Sequence, residues 1–357
     1  MKVGFVFHKD PSLQPDGIDT IRLHALTGGL SKRGLAVEIV APVERRSVSA
    51  AGVPVHPLEH LGVAGYDVVK TCYHFSIELI GTFDGPVVSR IVRVVDEKAP
   101  ARDAAWRERL MHCQDAIAAL ARVVVFNNSE NEQRWHAVYG AEVSTMVVPT
   151  GCPSVIPRTG TSPYETGEQV VLFLGSLCAP RMVSMLNRLA DALQGVARIH
   201  HVGRSKLHLY DDGGADGKAE ELAPLVVRHG EMPEERIWDY IGHARIGLAL
   251  APGPYPFDND LAKIYSYLRG GLPVLSEERI VNNDLLGATG SGGVFAYDDI
   301  DDAAARALLL LERPPGVAKQ RVMDYMAREH AWERRVDRYY RLFTRLQAGG
   351  QKPQPCC

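Results

Sequence analysis

The sequence predicts an α/β protein with two Rossmann-like domains, each built on a parallel sheet. The chain opens with a strand, a helix and a second strand, and a similar succession begins at Val170. Between the two halves, residues 153–167 are rich in proline, glycine, serine and threonine, which is typical of a linker. The length of 357 residues exceeds one typical core and suits two domains of about 150 residues each.

The first domain begins with a predicted strand over residues 2–7, and its first helix runs through Leu23, Leu26 and Leu30. Residues 37–40 form the next predicted strand. A helical crossover between two strands this close in the chain favours a parallel sheet. The loop before the helix has no G-x-G-x-x-G fingerprint, which counts against dinucleotide binding.

The next strands of this domain are predicted over residues 66–71, 87–93 and 123–126. The carboxyl ends of parallel strands open onto the binding crevice, so we expect His74, Arg90 and Arg93 to face a ligand. The alternative for His74, which stands among aromatic residues, is a packed or hydrogen-bonded core histidine. Further on, Ser129 and Glu132 have the spacing of a capping box and predict the start of a helix.

In the second domain, predicted strands end at glycines. Strands over residues 170–174 and 198–202 lead into Gly175 and Gly203, and Gly203 would let the backbone approach a ligand closely. An apolar strand over residues 246–250 then leads into a proline-rich loop.

A helix after that loop is the most informative element. Three side chains able to cap a helix come first, followed by Leu261, Ile264, Tyr265 and Leu268 at helical spacing, and the pattern stops at two glycines. The free amides at such a helix start, together with Lys263, would form a site for an anion such as a diphosphate. An ordinary crossover helix is the alternative.

Composition excludes several classes of protein. A formal net charge of −3 gives no overall field for nucleic acid, and no apolar run approaches the roughly 20 residues that span a bilayer. The first strand is too short for a signal peptide, so we expect a cytoplasmic protein. The six cysteines lack metal-ligand spacing, and His200 and His201 would point to opposite faces of a strand, so no metal site is predicted. For Cys356 and Cys357, a frayed tail and a lipidation site are the alternatives.

The segment from residue 258 to 275 resembles the C-terminal signature of the family 4 (group 1) retaining glycosyltransferases, in which the helix ends in glycine-x-proline-valine. Aligned on that ending, the two glutamates of the family fall on Asp258 and Ser266. The resemblance implies that Asp258 holds sugar hydroxyls and that Lys263 binds phosphate. Ser266 stands where the family commonly has the acid that binds ribose, so ribose binding there is in question.

The resemblance covers nearly the whole chain to about residue 345, and it implies three groups of site residues. The catalytic residues are Asp258, Lys263 and Arg181, and the donor-binding residues are Gly175, Ser176, Gly203, Arg204, Gly230, Glu231, Met232, Asn259, Asp260, Leu261, Ala262 and Ser266. On the acceptor side it implies Asp16, Gly17, Asp19 and Arg22 in the first loop and helix, and the position at strand ends adds His74, Arg90 and Arg93 to them. The alternative for the first helix is that Asp19 or Thr20 only caps it and that Arg22 is solvated.

The fold implied is GT-B, with two facing Rossmann-like domains and a C-terminal helix that crosses back to the N-terminal domain. The predicted domains are residues 1–157, 168–325 and a final helix over 326–346, followed by a disordered tail over 347–357. The resemblance implies transfer of a sugar from a UDP- or GDP-sugar to a small-molecule or glycan acceptor with retained anomeric configuration, without metal or cofactor. A homodimer is left open. The alternatives are an epimerase or phosphorylase of the same fold and a non-catalytic protein that binds sugar nucleotides.

Overall fold

A computed structural model of the protein describes residues 1–11, 17–81, 83–96, 104–206, 221–255 and 260–348. The chain divides into two compact units. The first combines Met1–Gly151 with the chain from Trp332 on, and the second is Cys152–Ala331. The division therefore falls after Gly151, whereas the sequence-based boundary is residue 157, and the return to the first unit occurs at Trp332 rather than at 326.

The first unit contains an eight-stranded sheet in the order β3-β4-β2-β1-β5-β6-β7-β8, parallel except for the β3–β4 pair. Its strands are β1 Lys2–Val6, β2 Ala36–Val40, β3 Ser47–Val48, β4 Pro54–His56, β5 Val68–Thr71, β6 Val87–Ile91, β7 Ala121–Phe126 and β8 Ser144–Val147. The helices within this stretch are α1 Ile18–Lys32, α2 Ala104–Leu120 and α3 Ser129–Tyr139. Short 3-10 helices cover Leu58–Gly62 and His74–Leu79.

The cap of α3 differs from the prediction. Asn128 is in extended conformation, and its side-chain oxygen accepts a hydrogen bond of 2.8 Å from the backbone N–H of Asn131. The helix therefore begins at Ser129 as residue N1, and Asn128 rather than Ser129 satisfies the free amide.

The second unit contains a six-stranded sheet in the order β11-β10-β9-β12-β13-β14, parallel throughout. Its strands are β9 Val170–Leu174, β10 Arg198–Val202, β11 Val226–Gly230, β12 Ile246–Ala249, β13 Val274–Glu277 and β14 Gly292–Phe295. Its helices are α4 Pro180–Ala192, α5 Glu234–His243, α6 Ala262–Arg269, α7 Asp284–Thr289, α8 Ile300–Glu312 and α9 Lys319–Glu329. The strand order reverses between β9 and β12, and doubly wound sheets bind ligands at the carboxyl side of such a switch point.

The last helix, α10 Trp332–Ala348, packs on α1 in the first unit. Its Val336, Tyr339 and Phe343 are buried in the core formed with β1 and α1. The two helices approach closely at Gly29, where a Cβ atom would lie 2.5 Å from a methyl group of Val336. These observations confirm the predicted fold class, with two parallel-sheet domains and a final helix that returns to the first. No helix in the described ranges is long and apolar enough to cross a bilayer.

Candidate active site

Three predicted donor-site glycines are neighbours at the carboxyl ends of β9, β10 and β11. The N–H of Gly175 donates to Val202, and the N–H of Gly203 donates to Gly230, each over 2.8 Å. Gly175, Gly203 and Gly230 have φ values of 99°, 149° and 70°, and a Cβ atom on Gly203 would lie 2.1 Å from the Gly175 carbonyl oxygen. Only glycine fits at Gly203, because any side chain would collide with this neighbouring turn.

Helix α6 begins one residue later than its predicted caps. Its N-cap is Leu261, whose N–H donates to the Asn282 side chain over 3.1 Å. The Asn282 amide in turn donates to the Leu261 carbonyl over 2.9 Å, so a residue distant in sequence fixes the helix start. Asp258 and Asn259 lie outside the described residues, and Asp260 precedes the N-cap.

Lys263, in the first turn of α6, reaches the end of β9. Its Nζ atom lies 3.8 Å from the centroid of the Phe173 ring and 3.8 Å from the position of a Cβ on Gly175. Within the described part of the chain, no carboxylate forms an ion pair with it. Burial lowers the pKa of Lys263 to about 7, because the ammonium has lost water without gaining an anion. Lys263 is therefore a cation at the switch point whose charged form an anionic ligand would stabilise.

Arg181, predicted as the second cation of the site, is already engaged. It binds both oxygens of the Glu277 carboxylate, at 3.2 and 2.5 Å, and a third contact at 3.0 Å joins it to Asp298. It also donates to the carbonyl of Ala251 and stacks on the Tyr297 ring at 4.4 Å. Two carboxylates pair with its single positive charge, so Arg181 offers less attraction to a diphosphate than an unpaired cation would.

Glu277 is a residue of this site that the sequence analysis missed. It is fully buried at the end of β13, and it also accepts hydrogen bonds from the N–H groups of Ala251 and Asp298, at 2.8 and 2.9 Å. It thereby ties together the segments that follow β12 and β14, and Asp298 has a left-handed φ of 61°. The rule that carboxyl ends of strands line the crevice would have singled it out.

The other donor-site candidates surround these turns. Ser176 follows Gly175, and Arg204, after Gly203, forms an ion pair with Glu231 over 3.7 Å with both side chains exposed. Met232 packs against a core cluster of the second unit. Ser266 lies on α6, and its carbonyl accepts the N–H of Gly270 over 3.0 Å.

On the acceptor side, α1 has Gly17 as its N-cap. Its carbonyl accepts N–H groups from Thr20 and Ile21, so neither Asp19 nor Thr20 caps the helix. Asp19 forms an ion pair with Arg22 over 3.0 Å, and Arg22 also donates to the Thr150 hydroxyl over 3.3 Å. Arg22 is buried rather than solvated. Asp16 lies outside the described residues.

Contrary to the prediction, the side chains of His74 and Arg90 do not face an open crevice. Both side chains are buried, with exposed fractions of 0% and 1%. The Nε2 atom of His74 lies 2.7 Å from the carbonyl oxygen of Arg93, and burial lowers the pKa of His74 to about 4, so the ring is neutral at pH 7. Arg90 donates to the Val148 carbonyl over 3.2 Å, and the Arg93 guanidinium stacks on Trp106 at 5.2 Å.

Two further buried cations accompany Arg90 and escaped the sequence analysis. Lys70 is 1% exposed and lies between the rings of Phe5 and Tyr339, at 5.4 and 5.3 Å. Arg335 donates to the carbonyls of Pro149 and Thr150. Neither Lys70 nor Arg90 forms an ion pair with a carboxylate of the described chain. The strand Val68–Thr71 has the sequence Val-Val-Lys-Thr, and this pattern gave no signal that its lysine would be enclosed.

Comparisons with known proteins identify the fold. No model of a known protein family matches the sequence, and no curated protein does either. Among solved structures, the chain is similar to sucrose-phosphate synthase from Thermosynechococcus elongatus, with a TM-score of 0.77, 14% identity, and coverage of 98% of this chain and 99% of that one. It is also similar to HepE of Anabaena in complex with UDP-glucose, with a TM-score of 0.71, 12% identity, and coverage of 97% and 100%.

A third similar structure is AviGT4, a glycosyltransferase involved in avilamycin A biosynthesis, with a TM-score of 0.62, 16% identity, and coverage of 98% of both chains. At these identities the comparisons establish the fold, which is that of the GT-B glycosyltransferases. They extend over both units and therefore confirm the predicted architecture.

Proposed function

We propose that this protein is a glycosyltransferase that moves a sugar from a nucleoside diphosphate sugar to a small-molecule or glycan acceptor. The observation that carries the proposal is Lys263, a cation without a carboxylate partner in the described chain, at the start of α6 and beside Gly175. This is the place where a doubly wound sheet holds a ligand. An anion with two or more charges would satisfy both the ammonium and the free amides of the helix start.

The chemical role of this arrangement is leaving-group stabilisation. As the bond between sugar and diphosphate breaks, negative charge grows on the diphosphate oxygens, and a preorganised cation stabilises that charge more strongly than it stabilises the bound donor. Lys263 and the first amides of α6 would supply this effect. Arg181 would contribute indirectly, because it holds Glu277 in place and Glu277 in turn binds the segments after β12 and β14.

The finer details of the reaction rest on resemblance. HepE binds UDP-glucose, so uridine diphosphate sugars are the first donors to test. The family signature favours retention of the anomeric configuration, with Asp258 on the sugar hydroxyls. Lys263 and the helix start would fill the role that a divalent metal has in other transferases, so we expect turnover to persist in EDTA.

The experiment compares Lys263→Met with the matched control Lys32→Met, which replaces an exposed lysine on α1. Release of UDP from UDP-sugars is measured over an acceptor panel. We expect Lys263→Met to lower kcat/KM by about 10²-fold or more, as the loss of one charge-stabilising donor does. The control should retain wild-type activity, and equal activity of the two variants would refute the assignment of Lys263.

The same assay separates the other functions of this fold. A transferase releases UDP only when an acceptor is present. UDP release without acceptor would indicate hydrolysis, conversion of the UDP-sugar into its epimer without acceptor would indicate an epimerase, and sugar 1-phosphate formation with inorganic phosphate would indicate a phosphorylase. Donor binding in a thermal-shift assay without turnover on any acceptor would favour a non-catalytic binding protein.

A further inference from the structure

A cluster of two histidines and a glutamate lies in the first unit, apart from every residue assigned to the reaction. Glu38 is on β2, His56 ends β4, and His60 follows in the 3-10 helix Leu58–Gly62. Their ligand atoms, one from each residue, all lie within 4.8 Å of one another. Imidazole nitrogen and carboxylate oxygen are the donor set of many zinc sites.

The distances within the cluster suit a small metal ion. The Nε2 atoms of His60 and His56 lie 3.1 and 3.9 Å from the same Glu38 oxygen, Oε2. Tetrahedral zinc with bonds of about 2.0–2.1 Å holds its ligand atoms about 3.3 Å apart, between these two values. The two imidazole rings are stacked, with centroids 3.8 Å apart, and metal binding would turn them until both Nε2 lone pairs converge.

His56 gives an independent indication of a ligand. Its side chain is buried, with an exposed fraction of 7% for the residue, and its Nε2 atom lacks a hydrogen-bond partner. That orphaned atom points toward Glu38, the direction in which an ion would lie.

Outer contacts hold the carboxylate in position. The Tyr66 hydroxyl donates to Glu38 Oε2 over 2.8 Å, and the tyrosine ring lies over Gly4 on β1, where a Cβ atom would be 3.0 Å from it. The glycine thus makes room for the ring that orients Glu38. Lys2 contacts the other oxygen, Oε1, over 3.2 Å, so Oε2 remains directed at the histidines. Metal sites commonly rely on such second contacts to fix a ligand's orientation.

We propose that Glu38, His56 and His60 form a binding site for a divalent transition metal ion, Zn²⁺ in particular. Two neutral imidazoles favour Zn²⁺ over the oxygen-preferring Mg²⁺ and Ca²⁺. The two histidines have the H-x₃-H spacing of many zinc ligands, but the sequence analysis did not connect them with Glu38, which the β2–β4 pairing brings beside them. Three protein ligands leave a fourth position for water or an exogenous ligand.

The ion would strengthen the edge of the sheet rather than act on the sugar. Glu38 lies on the face of β2 opposite Val37 and Ile39, which pack in the core with α1. The cluster is thus on the other side of the sheet from Arg22. Binding would tie β2 to the end of β4 and to the following 3-10 helix.

The test uses the full chain after treatment with a chelator. Zn²⁺ is titrated with isothermal calorimetry, and Co²⁺ is added separately because a tetrahedral site gives it strong visible absorption. His60→Gln replaces a ligand whose side chain is only partly buried, and the variant should fold. His112→Gln, which replaces an exposed histidine on α2, is the matched control. We expect His60→Gln to weaken Zn²⁺ binding at this site by about 10²-fold or more and to abolish the Co²⁺ bands, while the control binds as the wild type does.

A second variant and a measurement of thermal stability ensure that the test does not rest on His60→Gln alone. Glu38→Gln removes the anionic ligand and should weaken Zn²⁺ binding. At a free Zn²⁺ concentration one hundred times Kd, the melting temperature of the wild type should rise by about 5–10 °C. Identical Zn²⁺ titrations and Co²⁺ spectra for the wild type, His60→Gln and Glu38→Gln would overturn the proposal.

Discussion

The lowered pKa of Lys263 predicts that binding of a nucleoside diphosphate consumes a proton near neutral pH. In the free protein this pKa is about 7, because burial has removed water from the ammonium. A bound diphosphate favours the charged form and raises the pKa. Below about pH 6 the lysine is charged in both the free and the bound protein. Its titration therefore does not make the affinity depend on pH in this range. Above pH 7 the free lysine is largely neutral and must take up a proton on binding.

The magnitude follows from this titration. Each pH unit above the free pKa should weaken UDP binding by about tenfold, or 1.4 kcal/mol, until the pKa of the complex is reached. Calorimetry in buffers of different ionisation enthalpy measures the proton uptake directly, and we expect close to one proton per UDP at pH 8. Lys263→Met should bind weakly with no such pH dependence. Proton uptake that is the same in wild type and Lys263→Met would refute the reasoning.

Three predictions concern stability and the support of the site. Glu277→Gln should lower the free energy of unfolding by about 2–3 kcal/mol in urea titrations and weaken UDP binding, because it breaks the buried pair with Arg181; unchanged stability would contradict this. Gly203→Ala should lower the free energy of unfolding by about 3 kcal/mol. The control Gly195→Ala should lower it by about 1 kcal/mol, because its positive φ is not accompanied by a clash. Equal losses of stability in the two variants would contradict the close approach of the two turns. Lys70→Met should raise the free energy of unfolding by about 1–3 kcal/mol, because it removes a buried charge without a carboxylate partner, and a decrease would show that the charge is compensated.

The sequence predicted the elements whose signals are local. Strands that lead into glycine predicted the turns at Gly175 and Gly203, the family resemblance added Gly230, and apolar spacing followed by a double glycine predicted α6. The predicted start of α6 was less accurate, because Leu261, its N-cap, is held by Asn282, a residue from another segment.

What the sequence could not supply depends on neighbours in space. His74 follows β5 as expected and Arg90 lies near the end of β6, but His74 bonds to the Arg93 carbonyl and Arg90 to the Val148 carbonyl, and both side chains are buried. Glu277 and Arg181 are far apart in the chain, and only the adjacent carboxyl ends of the strands bring them together. The same is true of Glu38 and His60, which β-strand pairing and a short helix place within hydrogen-bond distance.

The central claim is that the start of α6 and Lys263 receive the diphosphate of the donor. A crystal structure of the protein with UDP tests it most directly. We predict that a phosphate oxygen lies within about 3 Å of Lys263 Nζ, with the first amides of α6 directed at the same group. Phosphate density located away from both Lys263 and the glycine turns would contradict it.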